Sequence, residues 1–384
     1  LILVLNAGSS SLKLAVYAVS QGELQPQLQG SIQDLPATPH LRLQTVDGAV
    51  VASQDLPADN YVEPVLAATL AQLAAERFTA AGHRVVHGGL RHAGPARVTP
   101  DLLLELSALT PLAPLHQEAD LAPIRTLARL EPGLPQVVSF DTAFHLGMPD
   151  TAARFAIPAA LHDAGLRRYG AHGLSYSYIA DRLRSLDPAL AAGRVVVAHL
   201  GSGASLCALQ NGRSVDTTMG LTPLDGLVMA TRCGALDPGL VLYLQAERGM
   251  SVQAVQDMLY HQSGLLGVSG RSGDMRVLLQ ANDPASQQAV ALFNARLAKE
   301  IAAMAASLGG IDGLVFCGGI GEHVAPVRQA AAAQLRFLGI EIDPAANHAA
   351  RQRIDAAGSR VAVFVLPTDE ELVIAREVRQ VLAF

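Results

Sequence analysis

The sequence predicts an α/β protein built from a duplicated unit, and three observations carry that reading. A strand, a small polar turn and a second strand open the chain as LILVLN, AGSSS and LKLAVYAV. The same pattern returns near residue 195 as RVVVAHL, GSG and ASLCALQ, followed by an NGR turn and a third strand, SVDTT. Between the copies lie segments with Ala and Leu at i, i+3 and i+4, the spacing of helices that bury one face. A length of 384 residues allows two domains, each with its own core.

The elements follow in order. The opening run is short and apolar, as a buried strand should be, and the strand after it alternates. A hairpin of this kind exposes backbone N–H groups and hydroxyls at its tip. Helices are expected over Val65 to Ala80 and over Leu121 to Leu130. Pro149 and Pro158 flank a plausible hinge after Asp141. The stretch from Ala289 to Leu308 is rich in Ala and Leu but carries Arg296, Lys299 and Glu300, so it reads as a buried amphipathic helix. A third Gly-rich turn, CGGIGEH, separates the strand-like GLVF from the helix-like APVRQAAAAQLRFL. The last expected helix runs from Glu370 to Leu382 and returns to the first domain.

Composition excludes several classes. Half of the residues are apolar and the mean hydropathy is +0.28, yet no uninterrupted apolar run approaches the ~20 residues of a membrane helix. Leu1 to Leu5 has no basic flank and no small-residue cleavage site, so a signal peptide is not expected. The expected location is the cytoplasm, with no membrane partner. A net charge of −6 without a basic run argues against nucleic acid. Cys207, Cys233 and Cys317 form neither a disulfide framework nor a zinc spacing. Of the 28 basic residues only Lys13 and Lys299 are lysines, and neither follows a glycine, so a GK[ST] phosphate loop is absent. HRD and DFG are missing, and with them the protein-kinase set. GSGASL opens a strand and has Leu206 where a dinucleotide fingerprint needs a small residue.

What remains is a series of motifs spread over the whole chain. In order they are NAGSSSLK (Asn6 to Lys13), GHRVVHGG (Gly82 to Gly89), SFDTAFH (Ser139 to His145), RRYGAHG (Arg167 to Gly173) and AHLGSGAS (Ala198 to Ser205). DTTMGLTPLDGLVMATRCGALDPG (Asp216 to Gly239), SGLLGVSG with SGDMR, GGIGE and PTDEEL complete the series. In order and spacing this resembles the acetate kinase family, within the superfamily of actin, heat-shock ATPases and sugar kinases. The resemblance implies two actin-like (ribonuclease H-like) domains with mixed sheets flanked by helices and a nucleotide cleft between them. The expected boundaries are residues 1–145 with 372–384 for the first domain, and 146–371 for the nucleotide-binding second.

The implied reaction is direct transfer of a phosphoryl group from Mg-ATP to acetate or another short carboxylate, giving an acyl phosphate and ADP. A propionate or butyrate kinase shares nearly every motif, and a non-catalytic ATP-binding protein is the reading from another class. Arg84, Asp141, His172 and Arg232 are the expected catalytic group. A guanidinium matches the planar edge of a carboxylate or a transferring phosphoryl group bidentately, which suits Arg84 and Arg232. Asp141 is expected to orient an arginine or the hydrated metal. A simple carboxylic acid, with a pKa near ~4.3, is already ionised at neutral pH and needs no base. The family places His172 beside the γ-phosphoryl group, and His116 and His199 are further candidates.

By resemblance the acetate methyl rests among Val86, Leu115, Ala171 and Pro223. The nucleotide falls to Lys13, to His199, Leu200, Gly201, Ser202 and Gly203, to Asp274, Met275 and Arg276, and to Gly319, Ile320, Gly321, Glu322 and His323. Asn6, with Ser9 and Ser11 nearby, and Glu370 are the implied ligands of Mg²⁺, for which Mn²⁺ can substitute. Glu371 rivals Glu370. A homodimer is implied as well. The chain departs from the family pattern at Ser202 and His323, where Asn is usual, and at Ala171, where many members have Phe. It also has GLSY in place of GTSH (Gly173 to Tyr176) and APLHQEAD in place of APLHNPA.

Overall fold

The computed structural model describes residues 1–8, 11–33, 39–57, 62–72, 77–114 and 116–383. Ser9 and Leu115 lie outside that set. The chain divides into two compact units, Leu1–Phe144 with Asp369–Phe384, and His145–Thr368. The returning segment therefore starts three residues before the expected position 372. Asp369 is the N-cap of the helix Glu370–Leu382, its side chain accepting from Leu372 N, so cap and helix stay in one unit.

The first unit is an eight-stranded sheet of β1 (Ile2–Ala7), β2 (Leu12–Ser20), β3 (Glu23–Gln33), β4 (His40–Thr45), β5 (Val50–Asp55), β6 (Ala80–Val85), β7 (Ala96–Arg97) and β8 (Gln136–Phe140), in the order β5-β4-β3-β2-β1-β6-β8-β7. β1, β6 and β8 run parallel, and the strands from β1 out to β5 pair antiparallel. Every residue of β1 and β8 is buried, as strands covered on both faces should be. The helix Glu370–Leu382 packs on β1, β6 and β8. Gly82 on β6 makes that approach close: a Cβ there would lie 2.6 Å from the side chains of both Ile374 and Val378. The helix expected to reach Ala80 is instead Val62–Gln72, and Ala80 begins β6. Alanine is a good helix former, but burial of Ala80 and Ala81 beside β1 outweighs that preference.

The second unit has a five-stranded sheet of β9 (Arg194–Leu200), β10 (Ala204–Gln210), β11 (Arg213–Thr217), β12 (Gly313–Cys317) and β13 (Ala362–Val365), ordered β11-β10-β9-β12-β13. Two antiparallel pairings are followed by two parallel ones. The order and sense match β3-β2-β1-β6-β8 of the first unit, so the duplication predicted from two hairpins extends to five strands each. The helix Pro284–Ser307 covers β9 and β10 and brings Phe293, Leu297 and Ile301 into the core. CGGIGEH is not an open turn. Gly318 takes φ +74 against the backbone of Leu200, which only glycine accepts readily, and the chain enters a short helix, Gly318–His323. Its carbonyls at Gly321 and Glu322 accept from the buried Arg328, at 2.8 and 2.9 Å.

Candidate active site

Each unit gathers part of the predicted site. In the first, Arg84 stands at the end of β6 and Asp141 directly after β8. The Arg84 guanidinium donates to Asp141 Oδ2 through Nη2 at 2.7 Å and Nε at 3.2 Å, and through Nη1 to the carbonyl of Ala7 at 2.8 Å. Burial works against its charge, but Asp141, Glu370 and Asp120 more than offset that and hold it above the usual arginine range. Asp120 is buried and accepts from Val86 N at 2.9 Å. Burial pushes its carboxyl up to about 8, against the pull of Arg84.

Asn6 is the penultimate residue of β1 and pairs in register with Lys13 on β2. Its side-chain amide donates to Glu370 at 2.9 Å and to Glu371 at 2.7 Å, so the amide brings both candidate carboxylates to one place. Glu371 is raised above the ordinary range by burial and by Glu370, with Lys13 and Asn6 pulling the other way. Among the described residues no group of three or more His, Cys, Asp or Glu is arranged to hold a metal ion. Two carboxylates and an amide oxygen do suit a hard cation that keeps waters and phosphate oxygens as its other ligands, the habit of Mg²⁺. Val86 is buried in this unit, and Lys13 is exposed.

In the second unit, the turn Gly201–Gly203 joins β9 to β10. A Cβ on Gly203 would lie 2.7 Å from Arg232 Nη2 and 3.4 Å from His172 Nε2, so the turn backbone comes this close only because the residue is glycine. Arg232 donates from Nη1 to the carbonyl of Pro223 at 2.7 Å. Burial lowers its pKa, so an anion near its other nitrogens would be bound with little competition from water. Pro223, expected to offer apolar surface, thus also anchors this arginine. His172 precedes the helix Gly173–Leu186 with φ 58 and stacks on His199 at 4.3 Å between ring centroids. Its Nδ1 lies 2.8 Å from the hydroxyl of Ser205. Ala171 is buried, and its carbonyl is 3.0 Å from His145 Nε2.

The same turn borders a cavity of about 450 Å³, lined by Gly201, Ser202, Gly273, Met275, Gly319 and His323 among others. That volume suits a nucleoside. Asp274 and Arg276 also line it; Asp274 caps the helix Met275–Gln280 and pairs with Arg276 at 2.7 Å. Ile320 is in the lining, Gly321 is buried beneath it, and Glu322 is half-buried. Leu200 is buried behind the turn, its backbone against Gly318. His116 sits before the helix Gln117–Leu130 in the first unit. Three residues near these clusters had not been singled out: Asp120, Ser205 and Arg328. Ser205 stands within AHLGSGAS, but its tie to His172 spans 33 positions and appears only once β9 and β10 are paired.

Comparisons with known proteins show the family. The Acetokinase family model matches residues 1–376. The chain belongs to the acetokinase family. It is 48% identical to the acetate kinase of Rhodopseudomonas palustris, over 98% of this chain and 97% of that protein, and 47% identical to that of Rhizobium meliloti, over 98% and 96%. Among solved structures of acetokinase relatives, a propionate kinase from Francisella tularensis superposes with a TM-score of 0.91 at 37% identity, covering 99% of both chains. The acetate kinase of Porphyromonas gingivalis gives 0.87 at 33% identity, again over 99% of both.

Proposed function

We propose that this chain transfers the γ-phosphoryl group of ATP to acetate, reversibly, giving acetyl phosphate and ADP. One observation carries the reading beyond family membership: the Gly201–Gly203 turn borders a nucleoside-sized cavity and also runs against Arg232 and His172. A single backbone segment thus joins a place for the nucleoside to the cationic and imidazole groups a transferring phosphoryl group needs. Adenosine occupies the cavity, Met275, Gly319 and Ile320 offering it apolar and backbone surface. The turn backbone of Gly201, Ser202 and Gly203 approaches the phosphates, with Lys13 and His199 as further nucleotide contacts.

Arg232 and His172 donate to the transferring group, and Arg84 binds the acceptor carboxylate. Asp141 fixes the guanidinium of Arg84 through its two bonds and takes no proton, because the acceptor is already an anion. Val86, Ala171 and Pro223 face the acyl tail; Leu115, the fourth residue the resemblance implies, lies outside the described residues. Asn6 and Glu370 would hold Mg²⁺, with Glu371 as the adjacent carboxylate. The ion, when bound, neutralises charge on the β- and γ-phosphate oxygens, and Mn²⁺ accepts the same oxygen donors.

We also propose a cytoplasmic homodimer. No helix among the described residues is long and apolar enough to cross a membrane. The helix Pro238–Ala246 buries none of its residues and exposes Leu240, Leu242 and Tyr243, an apolar face suited to a second copy. The test of function is a hydroxylamine trap of acyl phosphate with ATP, Mg²⁺ and acetate, propionate or butyrate. Hydroxamate from acetate is the expected result. Butyrate as the best acceptor would overturn the acetate reading, and no hydroxamate with any acid would leave a nucleotide-binding protein.

A further inference from the structure

The segment GLSY (Gly173 to Tyr176) puts a tyrosine within reach of the His172 network. Tyr176 is fully buried one turn after His172, on the helix Gly173–Leu186. Its hydroxyl hydrogen-bonds the Ser205 hydroxyl. Ser205 is itself fully buried on β10, opposite His199, and lies 2.8 Å from His172 Nδ1. An unbroken chain therefore runs from the phenol through the serine to the ring nitrogen farther from Gly203. The ring is held on other sides too. Its face meets His199, and its Nε2 is the nitrogen directed at Gly203, next to Arg232.

A serine hydroxyl has one proton to give and lone pairs to accept with. Of the two hydroxyls the phenol is the stronger acid, so Tyr176 donates to Ser205. The Ser205 proton is then left for His172 Nδ1. With Nδ1 accepting, the neutral ring carries its proton on Nε2, the nitrogen beside Arg232 and the glycine turn. An Nε2–H attracts an anionic phosphoryl oxygen, whereas the other tautomer would present a lone pair and repel it. The bond made by one ring nitrogen decides which nitrogen holds the proton.

We infer that Tyr176 is a positioning residue which, acting through Ser205, fixes His172 as the Nε2–H tautomer and so makes it a hydrogen-bond donor to the transferring group. The inference rests on the reading of His172 as a phosphoryl contact, and its test separates the two. The protein is labelled with ¹⁵N-histidine and long-range proton–nitrogen correlations are recorded without nucleotide, the His172→Gln variant serving to assign the His172 signals. The wild type should show His172 protonated on Nε2. Tyr176→Phe, which removes one oxygen, should give a mixture of tautomers and lower kcat ~10–100-fold, the usual effect of losing a partner that orients a functional histidine, with KM values nearly unchanged. Ser205→Ala should shift the tautomer likewise, and Ser205→Thr, which keeps the hydroxyl, should restore it. A wild-type ring protonated on Nδ1, or a tautomer unmoved in both Tyr176→Phe and Ser205→Ala, overturns the inference. Because the tautomer is read without turnover, a wild type that forms no acyl phosphate would refute the proposed reaction and leave this result to stand or fall alone.

Discussion

The two units share a five-strand order yet fill the ends of their strands differently. Where β1, β6 and β8 end, the first unit collects carboxylates around one arginine: Asp141 and Asp120 near Arg84, and Glu370 and Glu371 on Asn6. Where β9 and β12 end and β10 begins, the second collects glycines, stacked histidines and an arginine held by a carbonyl. The strand scaffold sets where side chains emerge and says little about their charge. One scaffold made twice thus serves opposite electrostatic tasks, concentrating negative charge suited to a cation in one unit and donors suited to phosphates in the other.

The strongest break of this contrast is in the first unit. Asp141→Asn leaves the buried Arg84 without its close counter-charge, which should cost of order 3 kcal/mol, read as an earlier denaturant midpoint. Activity should fall as well, while the pH–rate profile keeps its shape between about pH 6 and 8, since no proton passes through Asp141. An acidic limb that vanishes in the variant would make Asp141 a base.

In the second unit Arg232→Lys keeps the charge and loses the planar fork. Here kcat/KM should fall at least ~100-fold, about 2.7 kcal/mol, with stability little changed. Near-wild-type turnover would place Arg232 outside the chemistry.

The acyl tail gives a smaller effect. Ala171 is small and buried, so with the tail placed against it propionate should be used within roughly 10-fold of acetate in kcat/KM, a gap of ~1.4 kcal/mol. Ala171→Phe should then depress propionate more than acetate. Equal loss for both acids would show that the tail lies elsewhere.

The smallest effect separates the units by pH. Burial raises the Glu377 carboxyl to about 7, with Asp141 adding to the rise and the nearby Ser139 hydroxyl opposing it. The folded state therefore binds this proton more tightly than the unfolded chain, and stability falls as pH rises from the ordinary glutamate range through about 7. Glu377→Gln should remove that fall, raising the melting temperature at pH 8 by a few degrees and leaving it unchanged near pH 4. A gain equal at both pH values would mean that packing, not ionisation, is responsible.

Much of this organisation could be read before any coordinates. The helix from Glu370 to Leu382 and the strands from Arg194 to Gln210 have the limits their periodicity predicts. Alanine and glycine were the weak points, because neither residue declares one structure by itself. Ala80 joined a strand through its neighbours, and Gly318 opened a helix whose carbonyls at Gly321 and Glu322 are taken by Arg328 of the next helix. In the site, motif order drew attention to residues such as His172 and Arg232. The groups that orient them were hidden: Ser205 and Tyr176 meet His172 only through strand pairing and a helix turn. Arg84 and Asp141 lie 57 positions apart and meet only because β6 pairs with β8.

The helix Glu370–Leu382 also bears on how the chain is made. It supplies Ile374 and Val378 to the surface of β6 at Gly82, and Asp369–Phe384 belongs to the first unit although some 224 residues of the second come before it. On a ribosome the first unit, begun first, lacks the helix that covers one face of β1, β6 and β8 until the uninterrupted second unit has been made. The first unit is thus begun before the second and completed after it, and the strand face that awaits the helix is a surface open to a nascent-chain chaperone throughout that interval.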